Sequence, residues 1–190
     1  MKHLRQHIFE LNTCLAFLEE SVEKSFEEAC KLLAQCVLAD GKVLIFGNGG
    51  SAADAQHFAS ELVASLHGAP FPKPIAAIAL TTNSSVITAI SNDEDFRNIF
   101  SRQIEALTRP NDLVIGLSTS GRSENVLRGL EAALNKGANS FTIVGELGLA
   151  RPSASCEIRI PSNSTQVIQV VTTVLLHQLC ESLEELRRLD

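Results

Sequence analysis

Two residues able to do chemistry stand four apart in the stretch LIFGNGGSAADAQHFASEL (44–62): His57 and Glu61. That spacing puts both on one face of a helix. An imidazole and a carboxylate together are ligands for a divalent transition metal, zinc especially, and either group can move a proton. The plain alternative is a solvated surface pair. Immediately upstream, GNGGSAAD offers Gly47, Asn48, Gly49 and Gly50 ahead of Ser51. Glycines there let the chain turn sharply and bring backbone N–H groups close to an anion, with Ser51 placed to cap the helix that follows. A dinucleotide fingerprint is matched only partly, as Gly47-x-Gly49-x-x-Ala52, and no acidic residue closes the next apolar run. That weakens a dinucleotide reading.

A second polar loop, STSGRSEN (118–125), gathers Ser118, Thr119, Ser120 and Ser123 around Gly121, ahead of a helix beginning near Glu124. Hydroxyls together with open N–H groups at a helix start form a neutral phosphate cradle. Two such loops in one small domain point to a polyol phosphate. Further on, STQVIQVVTTVLLHQLCESLEEL (164–186) is an apolar helical pattern interrupted by Gln166, Gln169 and His177. A polar side chain in such a stripe calls for a hydrogen-bonding or metal partner. Gln169 and His177 would lie about 12 Å apart along a helix and about 80° around it. They could share one ion only if the helix breaks or if they come from different subunits.

The elements that must position these groups follow from hydrophobic spacing. GKVLIFG, PIAAIAL, DLVIGLS, SFTIVG and CEIRIP are short apolar runs with little polar alternation, as expected of strands buried on both faces. Helical patterns over 51–66, 84–107, 123–136 and 164–189 separate or follow them, the second holding a loop around SNDED. Strands alternating with helices predict an α/β fold: a doubly wound, five-stranded parallel sheet flanked by helices. Residues 1–39 read as N-terminal helices, one long or two with a break at Ser21 or Ser25, available for packing between subunits.

With 190 residues and 45% hydrophobic content, the chain predicts a single domain over 1–190. The five cysteines (Cys14, Cys30, Cys36, Cys156, Cys180) show no CxxC spacing and read as small buried hydrophobes. A net charge of -6 without a cationic cluster argues against nucleic acid. No run is long enough to span a membrane and the opening MKHLRQHIFELNTC has no signal-peptide pattern, which predicts a cytoplasmic protein.

Nearly the whole chain resembles the sugar isomerase (SIS) domain family, and within it the phosphoheptose isomerases. The resemblance runs through GNGGSAADAQHFASEL, AIALTTNSSVITAISND, FSRQIEAL, STSGRSENVLRGLEAA and EIRIPSNSTQVIQVVTTVLLHQLCE in the family's order. It implies isomerisation of D-sedoheptulose 7-phosphate to D-glycero-D-manno-heptose 7-phosphate, a step toward the heptose of lipopolysaccharide. It further implies a Zn2+ site of His57, Glu61, Gln169 and His177, with Glu61 and His177 catalytic. Substrate contacts are implied for Asn48, Gly49, Gly50, Ser51, Glu61, Asn92, Asp93, Ser118, Thr119, Ser120, Ser123 and Gln169, in a homotetramer with active sites between subunits. The chain departs from the family pattern at Ser65, 66–74, 145–155 and 166–173, which border the pocket and bear on which phosphosugar is used. A non-catalytic, protein-binding branch of the family lacks the Glu and the final His; Glu61 and His177 favour an enzyme.

Overall fold

A computed structural model describes residues 2–64 and 74–188. Ser65 and positions 66–73 of the divergent segment lie outside them. The elements are α1 (Lys2–Leu38), β1 (Val43–Gly47), α2 (Gly50–Ala64), β2 (Ala77–Ala79), α3 (Ser84–Asp93), a single 3-10 turn (Phe96–Asn98), α4 (Ser101–Leu107), β3 (Leu113–Ser118), α5 (Glu124–Asn135), β4 (Asn139–Val144), β5 (Cys156–Arg159) and α6 (Thr165–Arg188). The strands form one sheet in the order β2-β1-β3-β4-β5, and all pairs are parallel. The α/β, doubly wound expectation is met.

Two apolar layers cover the sheet. Val43 and Ile45 on one face pack with α1, α2 and α6 through Leu33, Phe58, Leu62, Val171 and Leu179. Leu44 and Phe46 on the other face pack with α4 and α5 through Ile104, Val126 and Leu130. Alternate residues of β1 therefore feed opposite cores, which explains why its run carries no polar alternation. Phe46 and Phe100 stack with ring centroids 4.7 Å apart.

The N-terminal helix is continuous. Ser21 and Ser25 do not break it, because their hydroxyls donate to the Phe17 and Val22 carbonyls (2.7 and 2.9 Å) instead of ending the helix. The loop anticipated around SNDED ends α3, and Asp95 accepts from the Arg97 N–H to start the 3-10 turn. Cys14, Cys36 and Cys180 are buried and Cys30 and Cys156 half-buried, all as free thiols. Beneath the sheet, at the amino ends of β1 and β3, Asp112 accepts from the Lys42 side chain and from the backbone N–H groups of Lys42 and Arg109. No described helix is long and apolar enough to cross a membrane.

Candidate active site

Strands β1 and β3 are neighbours, yet α2 leaves β1 toward one face while α5 leaves β3 toward the other. This is the topological switch point of the sheet, where open parallel sheets leave a crevice beyond the strand ends. Both polar loops sit there. Gly49 takes a left-handed φ of 57° and turns the chain into α2. The helix starts at Gly50, so Ser51 lies inside its first turn, 6% exposed, and is not the cap its type suggested. Any side chain at Gly50 would collide with the Gln169 amide, which packs directly over the start of α2.

In the second loop Ser118 Oγ donates to Ser123 Oγ (3.3 Å), and Ser120 Oγ accepts from the Arg122 N–H (3.2 Å). Ser123 holds the cap position of α5 without capping it by its side chain. Its hydroxyl faces Ser118 instead, which leaves first-turn N–H groups of α5 for an anion. Gly121 has a φ of 63°. The 145–151 segment buttresses this loop from behind: Gly145 N–H donates to the Thr119 carbonyl (3.2 Å) and Ala150 N–H to the Gly121 carbonyl (2.9 Å). Arg151 closes the bracket, donating to Glu124 (2.9 and 3.1 Å) and Glu131 (2.5 and 3.3 Å). The Arg151 and Arg128 side chains hold the Glu124 carboxyl down at about 2.

Behind the crevice, α2 and α6 run side by side with three successive polar rungs: Gly50 with Gln169, Asp54 with Thr173, and His57 with His177. The two imidazoles meet Nε2 to Nε2 at 2.8 Å, edge to face. For that contact to be a hydrogen bond one nitrogen donates and the other accepts. Glu61 Oε1 lies 3.7 Å from His57 Nδ1, too far for a hydrogen bond. Glu61 Oε2 and Asp54 Oδ2 are buried without a partner. Burial pushes the Asp54 carboxyl up against the pull of Thr173 and His57. Burial, followed by the neighbouring Glu61, Glu184 and Glu181 carboxylates, pushes the Cys180 thiol up to about 12.

The structure thus brings His57, Glu61 and His177 into one neighbourhood and sets Gln169 apart, at the glycine loop. Among the described residues no three His, Cys, Asp or Glu side chains converge as a metal site. Because α6 is unbroken from Thr165 to Arg188, Gln169 and His177 stay two turns apart. Of the sequence alternatives for a shared ion, only ligands from different subunits survives. Asn92 and Asp93 end α3, exposed, and bond each other (2.7 Å). Among the described residues no hydrogen bond joins them to either loop. Spacing alone did not single out Asn125, Asp54, Thr173 or Arg151. For Asn125, Asp54 and Thr173 the signal is a polar type at a position whose helical phase faces inward; Arg151 lies in the segment between β4 and β5 and carries no such signal.

A sequence profile of the SIS domain matches residues 6–145. The chain belongs to the SIS domain family. The chain is 43% identical over 169 residues to a phosphoheptose isomerase of Shewanella loihica, covering 87% of this chain and 85% of the relative. Among solved structures it is similar to a phosphoheptose isomerase of Neisseria gonorrhoeae, at 34% identity and a TM-score of 0.87, covering 97% and 98% of the two chains. A Francisella tularensis phosphoheptose isomerase superposes with a TM-score of 0.90 at 29% identity, covering 97% of each chain.

Proposed function

We propose that this SIS domain is an aldose–ketose isomerase that interconverts D-sedoheptulose 7-phosphate and D-glycero-D-manno-heptose 7-phosphate through an enediol. The observation that carries the reading is Glu61: a carboxylate oxygen buried without a partner, beside two facing imidazoles, on the helix that starts at the glycine loop. A buried orphan oxygen of this kind is unfavourable unless a proton, a metal or a ligand completes it.

In this reading the hydroxyl loop and the start of α5 bind the phosphate, and the sugar runs toward the α2–α6 seam. Glu61 removes a proton from C1 of the ketose as the C1–C2 double bond of the enediol forms, and His177 protonates the carbonyl oxygen at C2. The reverse flow returns a proton to C2 while the O1 proton leaves and the C1 carbonyl appears. The sum is an isomerisation with no oxidant or reductant.

His57, Glu61, Gln169 and His177 are the residues that would hold Zn2+; two imidazoles, a carboxylate and a carboxamide suit that ion. The spacing along α6 requires Gln169 to come from a neighbouring copy if all four share it. When bound, zinc supplies Lewis-acid stabilisation of oxyanion charge. Oligomer formation, taken as a homotetramer in the cytoplasm, is supported by the outer half of α1, which exposes Leu4, Ile8, Phe9, Leu15 and Phe17. The product would feed assembly of lipopolysaccharide heptose.

Zinc content by mass spectrometry, measured on protein without a histidine tag, and turnover of sedoheptulose 7-phosphate in the same sample test the proposal. Stoichiometric zinc with turnover is expected. Zinc without turnover would reassign the substrate to another phosphosugar, and neither would overturn the enzyme reading in favour of a binding protein.

A further inference from the structure

Asn125 is among the few polar side chains buried in the chain, 4% exposed. It is the second residue of α5, and its amide forms a reciprocal pair with Asn48 in the glycine loop. Each Nδ2 donates to the other's Oδ1, both at 2.9 Å. One partner belongs to the loop after β1 and the other to the foot of the hydroxyl loop after β3. The pair therefore bridges the switch-point crevice. Local sequence brings this about: Asn125 and Gly129 are four apart and face the same way from α5. A Cβ at Gly129 would lie 2.7 Å from the Phe46 ring, so only its absence lets α5 settle close enough to β1 for the amides to meet.

A carboxamide has two N–H donors and an oxygen with two lone pairs. The pair consumes one of each on Asn48 and leaves one of each, now fixed in direction, for a ligand. An apolar pair of similar size would satisfy packing as well but would orient nothing.

We infer that Asn125 is a positioning residue that acts through Asn48: it sets the distance and orientation of the glycine loop relative to the hydroxyl loop, so that one open-chain polyol phosphate engages both. The inference rests on the phosphosugar reading above. Inorganic phosphate, which needs only the hydroxyl loop and the backbone N–H groups at the start of α5, is indifferent to the side-chain pair.

Calorimetric affinities for D-glucitol 6-phosphate and for inorganic phosphate, measured on the full chain, on Asn48→Ala, on Asn125→Ala and on the double variant, decide it. The account expects Asn125→Ala to weaken the polyol phosphate roughly tenfold, in line with about one ligand hydrogen bond lost from an Asn48 amide no longer held in place, while phosphate affinity stays within about twofold. In the Asn48→Ala background Asn125→Ala should bring no further loss, because residues that act as a unit are not additive. Should Asn125→Ala fail to fold, Asn125→Leu, which is uncharged, similar in size and unable to pair with Asn48, replaces it in the comparison. An equal loss with and without Asn48, an equal loss for inorganic phosphate, or no affinity of the unaltered protein for the polyol phosphate would overturn the inference. If the pattern holds but sedoheptulose 7-phosphate is not turned over, the choice of that substrate falls and the positioning role stands.

Discussion

The crevice loops and the seam between α2 and α6 are built from similar residue types, and they differ in how far the chain satisfies them. The loops are tied by the Asn48–Asn125 amides, by Ser118 to Ser123, and by the 145–151 bracket that ends in the Arg151 clamp. Along the seam, Glu61 Oε2 and Asp54 Oδ2 are buried without partners and two imidazole nitrogens confront each other. The first region is preformed, with its donors aimed before a ligand arrives, as electrostatic binding of a phosphate requires. The second is left polar and incomplete at a cost in stability, which natural sequences tolerate chiefly at functional sites.

Substitutions can break this contrast. Glu61→Gln should lower turnover by roughly 10²–10⁴-fold, the scale of a lost general base. Its melting temperature should hold or rise, since a neutral amide costs less to bury than a carboxylate; a fall of several degrees together with full turnover would make Glu61 structural. Gly121→Ala meets two obstacles at once, a φ of 63° and the Gly148 carbonyl where its Cβ must go. It should lose about 2–4 kcal/mol of stability in urea unfolding and much of its phosphosugar affinity. Wild-type stability would show that the bracket is loose.

At the opposite end of the strands, Asp112 sharpens the comparison from the other side. It is 4% exposed and fully engaged by Lys42 and Arg109. Asp112→Ala should cost about 2–4 kcal/mol in urea unfolding, with kcat per folded molecule unchanged. Loss of kcat at wild-type stability would contradict the division between a structural and a reactive pole.

The smallest effect belongs to Arg151. Side-chain exposures of 38% and 37% for Arg151 and Glu124 limit the clamp to about 1 kcal/mol. Because the folded Glu124 carboxyl is held at about 2, below its ordinary 4.5, the increment is present above that ordinary value and fades as pH falls toward about 2. Melting curves of Arg151→Ala and the unaltered protein should therefore differ near neutrality and converge toward pH 2. A gap that grows in acid would reverse the assignment.

Much of this was readable from residue order. Five apolar runs and the helical periods between them marked the sheet and its layers: burial on both faces removes alternation in β1, β3 and β4, while the edge strands β2 and β5 are partly exposed. The glycine and hydroxyl loops were marked by residue type, with Gly49 and Gly121 at positive φ, and the spacing of His57 and Glu61 placed both on one face of α2. What stayed hidden depends on partners distant in the chain. Asn125 is a seemingly ordinary second residue of a helix until Asn48, 77 residues away, is folded against it. Thr173 reads as a helix surface position until Asp54 appears beside it. Gln169 and His177 share a helix, but only the opposing helix α2 shows that each faces a different rung. The absence of a side chain at Gly50 makes sense only once the Gln169 amide is folded over the start of α2.

The central claim is that the seam moves a proton between C1 and C2. Turnover of sedoheptulose 7-phosphate in deuterium oxide, read by NMR of the heptose product, tests it most directly. The account predicts deuterium at C2, because the proton held on Glu61 exchanges with solvent during the life of the enediol. Product formed at full rate with no deuterium at C2 would show that no solvent-exchanging group carries the proton between the carbons and would contradict it.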